Sequence, residues 1–289
     1  MAARRAVAML AAIGVALGAL PARAALQVYA AGDIAECRGD PARSAAAETA
    51  RLIPDGATVL VLGDAAYPFA DRATLARCYA PTWGRLRATT YAVPGNHDYV
   101  GGATRDFLAY FGERNGHLTY FRAALGDWWL VGLDSNLRGA ALARQNDWLA
   151  RELGAIAGDG RCVIALWHHA FVSTGLHRGD GAPMKAAWTL LDAAGADVVL
   201  SGHEHFYESF DPLAADGTAA ATGIREFVVG TGGAHLVDLS LSSRHRAFAR
   251  THGLLELELE RNRYTWRFRT VDGAVPDAGG AACRRAARP

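Results

Sequence analysis

Five short clusters in the chain carry side chains able to bind cations or move protons: Asp33 in GDIAEC, Asp64 and Tyr67 in GDAAYP, Asn96, His97 and Asp98 in GNHDY, His168 and His169 in WHHAF, and His203 and His205 in GHEH. Carboxylates, imidazoles, a phenol and an amide oxygen make a mixed hard and borderline donor set. Such a set suits iron, zinc or manganese rather than copper–thiolate or calcium sites. A single ion has no use for all of them, whereas two ions about 3.5 to 4 Å apart and bridged by one carboxylate do. Glycine stands directly before a key residue at Gly32, Gly63, Gly95 and Gly202, as expected where backbone must approach a crowded centre. Ordinary strand-exit turns also favour Gly, Asp and Asn, which accounts for the two Gly–Asp pairs but not for the histidines.

The clusters end apolar, β-branched runs: LQVYAAGD, TVLVLGD, TTYAVPGNHD, RCVIALWHH and ADVVLSGHEH. These read as buried strands whose carboxyl ends carry the polar residues. Amphipathic segments at 44–52, 72–79, 103–111, 141–153 and 183–193 read as the intervening helices. Alternation of strand and helix implies a largely parallel sheet with helices on its faces, and ligands in such sheets lie outside the strands' carboxyl ends. Further on, REFVVGTGG, GLLELELE and RYTWRFRTV follow without helices between them. Leu255, Leu257 and Leu259 alternate with Glu256, Glu258 and Glu260, predicting an antiparallel hairpin with one wet face, turned at Arg261–Asn262. The expectation is therefore an α/β fold, a four-layer α/β/β/α sandwich of two mixed β-sheets with a dinuclear metal site at the strand C-terminal ends.

Taken in order, GDIAEC, GDAAY, GNHD, WHH and GHEH resemble the calcineurin-like metallophosphoesterases, and within them the purple acid phosphatases. The resemblance implies Asp33, Tyr67 and His205 as ligands of one metal, Asn96, His168 and His203 as ligands of the second, and Asp64 as the bridge. His168 is preferred to His169 from its place at the strand end. Many relatives carry His two residues after the first Asp. Here that position is Ala35, and Tyr67 in the GDxxY spacing stands in its place. A tyrosinate favours a trivalent ion, so the implied cofactors are two metal ions, Fe3+ with Fe2+, Zn2+ or Mn2+. The implied activity is hydrolysis of phosphate monoesters by a metal-bound hydroxide, with His97 as general acid and Asp98 as its orienting neighbour or a surface residue. His177 and His169 are candidates for substrate contact, with a solvated loop role preferred for His177, and His235 and His245 are undecided. Phosphodiester hydrolysis on nucleotide or lipid diesters is the alternative, and a non-catalytic metal-dependent binding protein a more distant one. The expected partner is a small-molecule phosphate ester.

Residues 1–24 read as a secretory leader: Arg4 and Arg5, an apolar run from Ala6 to Leu20, and small residues spaced Ala22-Arg23-Ala24. The run is shorter than the roughly 20 apolar residues of a membrane span. Residues 25–289 are then expected to form one catalytic domain, secreted or periplasmic, with no membrane association. The net charge of +1, with acids and bases interspersed, points to no nucleic-acid surface. Arg284, Arg285 and Arg288 read as a solvated tail. Four cysteines in an oxidising compartment favour two disulfides. Of the three pairings, Cys37–Cys78 with Cys162–Cys283 is preferred because Cys37 and Cys78 each follow a strand-like run in the first half. Trp83, Trp128, Trp129, Trp148 and Trp188 are expected in the core, with Trp167 and Tyr99 at the rim of the site.

Overall fold

The computed structural model describes residues 24–237 and 244–284, so the segment expected to be a leader lies outside the described residues but for Ala24. Two sheets form the centre. In the six-stranded sheet the order is Asp277–Ala282, Arg263–Thr270, Gly253–Glu260, Leu26–Ala31, Thr58–Val61 and Thr90–Ala92. Its last three strands are mutually parallel, while Gly253–Glu260 joins Leu26–Ala31 antiparallel. The seven-stranded sheet runs Ala247–Ala249, Tyr207–Ser209, Arg225–Val229, Val198–Gly202, Cys162–His169, Trp128–Gly132 and Phe121–Leu125. It is parallel through its four inner neighbours Arg225–Val229 to Trp128–Gly132 and antiparallel at both edges.

Period-two alternation sorts the layers. In Cys162–His169, Ile164 and Leu166 pack into one apolar cluster with Val28, Val59, Leu255 and Leu257 of the other sheet. Val163, Ala165 and Trp167 face away, against Leu149 and Leu153 of the helix Gly139–Ile156 and Ala187, Trp188 and Leu191 of the helix Lys185–Ala193. The six-stranded sheet is covered by the helices Ala45–Arg51 and Thr104–Asn115, whose Ala46, Ala50, Phe107 and Phe111 are buried in the first cluster. The result is the α/β/β/α sandwich. Each fully buried large apolar side chain contributes about 1.5–3 kcal/mol, against about 0.5–1.5 kcal/mol net for a hydrogen bond. Layer packing, more than any single polar contact, therefore fixes where the strand ends lie.

Several local expectations need amendment. The hairpin turns at Arg261–Asn262 as predicted, but its acidic face is only half wet: Glu256 is buried and paired with Arg267 at 3.1 Å and Arg269 at 2.9 Å. The segment 72–79 is not one α-helix. Asp71 caps a single turn at Arg72–Thr74, and Leu75–Tyr79 then winds wider, closing Ala80 N to Leu75 O at 2.8 Å. Disulfides join Cys37 to Cys78 and Cys162 to Cys283. Arg284 is not solvated tail: it donates to the Asp192 carboxylate and the Ala196 carbonyl at 2.7 Å each. Arg285 and Arg288 lie outside the described residues. Among the described residues no helix is long and apolar enough to cross a membrane.

Candidate metal centre

Five strands stop at one place. Leu26–Ala31 leads into Asp33, Thr58–Val61 into Asp64, Thr90–Ala92 into Asn96, and Val198–Gly202 into His203 and His205, while Cys162–His169 ends in its own two histidines. The approach is too close for side chains at the preceding positions. A Cβ at Gly95 would lie 2.1 Å from Asp64 Oδ1, and one at Gly63 would lie 2.5 Å from His168 Nδ1. Asp33, Asp64 and His203 adopt φ of 58°, 50° and 72°. Non-glycine residues in this left-handed region cost on the order of 1–3 kcal/mol each and concentrate at functional sites.

Two knots of donor atoms share one carboxylate oxygen. Tyr67 Oη donates to Asp33 Oδ1 at 2.7 Å or Asp64 Oδ2 at 2.9 Å, and lies 3.1 Å from His205 Nε2. On the other side, His168 Nε2 lies 3.4 Å from the same Asp64 Oδ2, 3.1 Å from Asn96 Oδ1 and 3.2 Å from His203 Nδ1. All seven residues expected around a metal pair are thus gathered, and Asp64 touches both groups.

The far side of each imidazole bears on whether cations fit here. His168 Nδ1 donates to Leu62 O at 2.8 Å, His205 Nδ1 to His235 O at 2.7 Å, and His203 Nε2 to Asp180 Oδ2 at 3.0 Å. With the outer nitrogen carrying the proton, the inner one keeps its lone pair. Outer-nitrogen partners of this kind orient metal-ligating histidines. The chemistry of the donors and this orientation fit two cations.

Without a cation, the carboxylates and two of the imidazoles hold one another charged. Burial alone would raise Asp33, but the hydrogen bond and charge of His205 hold its carboxyl well below the usual range. Burial opposes charge on His168 and His205 too, yet Asp64 pushes His168 up to about 10 and Asp33 pushes His205 up to about 9. Burial and the two carboxylates drive the Tyr67 phenol well above its ordinary value. A cation among these groups reverses that ordering, because it becomes the largest local charge.

Neighbouring residues divide sharply. His169 is buried beside the second group, its ring centroid 4.4 Å from that of His203, but its Nδ1 is taken up 2.8 Å from Ser135 Oγ, and burial together with His168 and His203 pulls it down to about 2. Asp98 does not touch His97 and is not at the surface. Fully buried, it accepts the backbone N–H groups of Gly95 at 2.7 Å, Asp64 at 2.8 Å and Ala65 at 3.2 Å, tying two site loops together. His97 lies against Tyr67 with ring centroids 4.5 Å apart and planes tilted by 53°, and donates from Nδ1 to Pro68 O at 2.7 Å, which leaves Nε2 without a hydrogen bond among the described residues. A cavity of about 590 Å³ opens over Asp64, Tyr67, Asn96, His97, His203 and His205.

His177 and His235 also line the cavity, the His177 ring tilted against His203 at 4.6 Å and the His235 ring edge-on to His205 at 4.7 Å. Trp167 is not at the rim but wholly buried against Trp188, and the Tyr99 hydroxyl is bound to Asp134. His245 lies apart, against Phe248. Asp180, Glu36, Arg38 and Arg77 were not foreseen at the site. Only the position of Asp180 three residues after His177 offered a sequence signal.

Residues 26–207 match the sequence profile of the calcineurin-like phosphoesterases. The chain belongs to that family. Membership supports a hydrolase acting on phosphoric ester bonds and implies two metal ions. No curated protein matches the sequence. Among solved structures, the fold is similar to GAP50, the anchor in the inner membrane complex of Plasmodium, at 14% identity and a TM-score of 0.70, covering 91% of this phosphoesterase and 90% of that chain. It is similar to a purple acid phosphatase from yellow lupin (Lupinus luteus) seeds at 15% identity and a TM-score of 0.68. That alignment covers 89% of this chain and 54% of the lupin chain, so this phosphoesterase spans about half the length of the plant enzyme. A dimetal phosphatase from Danio rerio aligns at 11% identity and a TM-score of 0.58, covering 90% and 100% of the two chains.

Proposed function

We propose that this phosphoesterase is a secreted phosphatase that hydrolyses small phosphate monoesters at a two-cation centre. In this reading Asp33, Tyr67 and His205 hold one ion, Asn96, His168 and His203 the other, and Asp64 both. Residues 25–289 form the catalytic domain, released from its leader near Ala24. The observation carrying the reading is that Asp64 Oδ2 is approached from both sides, by Tyr67 Oη at 2.9 Å and by His168 Nε2 at 3.4 Å. The phenol in the first group makes iron, as Fe3+, the favoured ion there, with Fe2+, Zn2+ or Mn2+ in the second. Two disulfides support the oxidising compartment.

Two such cations supply a lowered pKa for water and charge neutralisation on the phosphoryl oxygens. The chain's own contribution is positional. Asp98 holds the backbone of Asp64 and Gly95 together. The outer hydrogen bonds of the three imidazoles keep their inner nitrogens aimed at one place. His97 keeps Nδ1–H on Pro68 O while its imidazolium Nε2–H passes a proton to the departing alkoxide or phenoxide.

The cavity of about 590 Å³ has room for more than a phosphate and a small leaving group, which is what a diester needs and keeps diester hydrolysis as the second reading. Assays on metal-reconstituted protein separate the two. Turnover of p-nitrophenyl phosphate well above bis(p-nitrophenyl) phosphate, with a visible charge-transfer band lost in Tyr67→Phe, supports the monoesterase. Turnover of the diester alone replaces it with the second reading. Bound metal with no turnover of either makes the chain a metal-dependent binding protein.

A further inference from the structure

Part of the cavity wall comes from neither main sheet. The short strand Ala35–Glu36 pairs with Ala66–Tyr67, and Cys37, the next residue, is bridged to Cys78 with Cα atoms 5.4 Å apart. Cys78 sits in the wide turn Leu75–Tyr79. The bridge therefore fixes one loop against another, and an arginine flanks each half-cystine: Arg38 after Cys37 and Arg77 before Cys78. Both arginines line the cavity that holds Asp64, Tyr67 and His97.

Neither guanidinium is used up inside the protein. Arg38 is 83% exposed along its side chain, and its Nε lies 3.9 Å from Glu36 Oε2, beyond hydrogen-bond reach. The other oxygen of Glu36 is taken by His235 Nδ1 at 2.6 Å. Arg77 forms no ion pair among the described residues, and Asp71 feels its charge only at longer range. Neither arginine bonds to any of the seven donor residues of the metal centre. Two basic forks thus stand in the same cavity as the reaction centre but apart from it. Arginine matches carboxylate and phosphate oxygens in paired hydrogen bonds, and the volume of about 590 Å³ holds a ligand with two separated acidic groups.

We propose that Arg38 and Arg77, held by the Cys37–Cys78 bridge, form an anion subsite, so that the preferred substrates are phosphate esters bearing a second acidic group, carboxylate or phosphate, on the leaving side. The proposal rests on the phosphoesterase reading and narrows it to a substrate class. The scissile phosphate goes to the Asp64 centre and the second anion to the arginines.

The test compares wild type with the double variant Arg38→Gln/Arg77→Gln on phenyl phosphate, 4-carboxyphenyl phosphate and 1,4-phenylene bisphosphate. Both side chains are exposed, so the fold is expected to survive. Wild type should favour the acid-bearing esters. The variant should lose roughly tenfold in kcat/KM on them, through KM, and stay within about twofold on phenyl phosphate. A loss confined to one acid-bearing ester assigns the subsite to carboxylate or to phosphate. Equal loss on all three esters, or none, overturns the subsite while leaving the phosphoesterase intact. If wild type turns over none of them, the monoesterase reading fails, and calorimetric binding of the bisphosphate decides the subsite. Roughly tenfold weaker binding in the variant upholds it, and unchanged binding overturns it.

Discussion

The two sheets bring chemically different halves to one cluster. The six-stranded sheet and the loops that leave it deliver oxygen, through Asp33, Asp64, Tyr67 and Asn96; the seven-stranded sheet delivers nitrogen, through His168, His203 and His205. Each half is anchored on the other. Asp33 Oδ2 accepts the backbone N–H of His203 at 2.8 Å, and His168 Nδ1 donates to Leu62 O at 2.8 Å. The two carboxylates are kept ionised by nearby imidazoles, Tyr67 and Asn96 add uncharged oxygens, and the imidazoles are aimed by carbonyl and carboxylate acceptors behind them. Neither sheet carries all seven donors, so on the proposed reading the packing between sheets is itself a catalytic requirement.

Breaking the one atom common to both halves should have the largest effect. Asp64→Ala is expected to lower kcat on the order of a thousandfold or more, and full activity in that variant would remove the bridging role. Next comes the contrast between adjacent histidines on one strand. His168→Ala should cost on the order of a hundredfold or more, and His169→Ala about tenfold or less, since its Nδ1 faces Ser135. The reverse order of losses would exchange their roles.

Sharpening the oxygen side, His97→Ala should leave metal content unchanged and slow esters with poor leaving groups on the order of a hundredfold, with little effect on good ones. Equal loss for both kinds of ester contradicts an acid role.

The smallest effect belongs to the nitrogen-bearing sheet. Glu226 accepts the N–H groups of Phe171 and Val172 at 2.9 Å each. Burial pushes its carboxyl from an ordinary 4.5 up to about 8. Between those values the folded state holds the extra proton, so stability falls as pH rises. Glu226→Gln should reduce the fall in Tm between pH 5 and pH 8, and an unchanged fall would show that Glu226 does not contribute to it.

The centre was legible because its residues end apolar runs with strong β character, so type, spacing and strand polarity pointed to one place. Asp98 was misjudged because a carboxylate in a polar motif carries no sign of burial, and its role depends on backbone groups from two loops. Trp167 follows from strand alternation, which turns it to the helical side. The hairpin Phe121–Leu125 with Trp128–Gly132 and the edge strand Asp277–Ala282 were missed. DAGGAA has poor strand propensity. Pairing with Arg263–Thr270 and the disulfide that follows at Cys283 hold it in the sheet, and neither is written in the segment itself. The arginines at the cavity are equally silent, since a loop closed by a distant cysteine brings them there.

The central claim is that one cluster, built from both sheets, holds two cations. Elemental analysis of the purified, reconstituted protein tests it directly. The account predicts two metal ions per chain, iron among them; one ion per chain or none after reconstitution would contradict it.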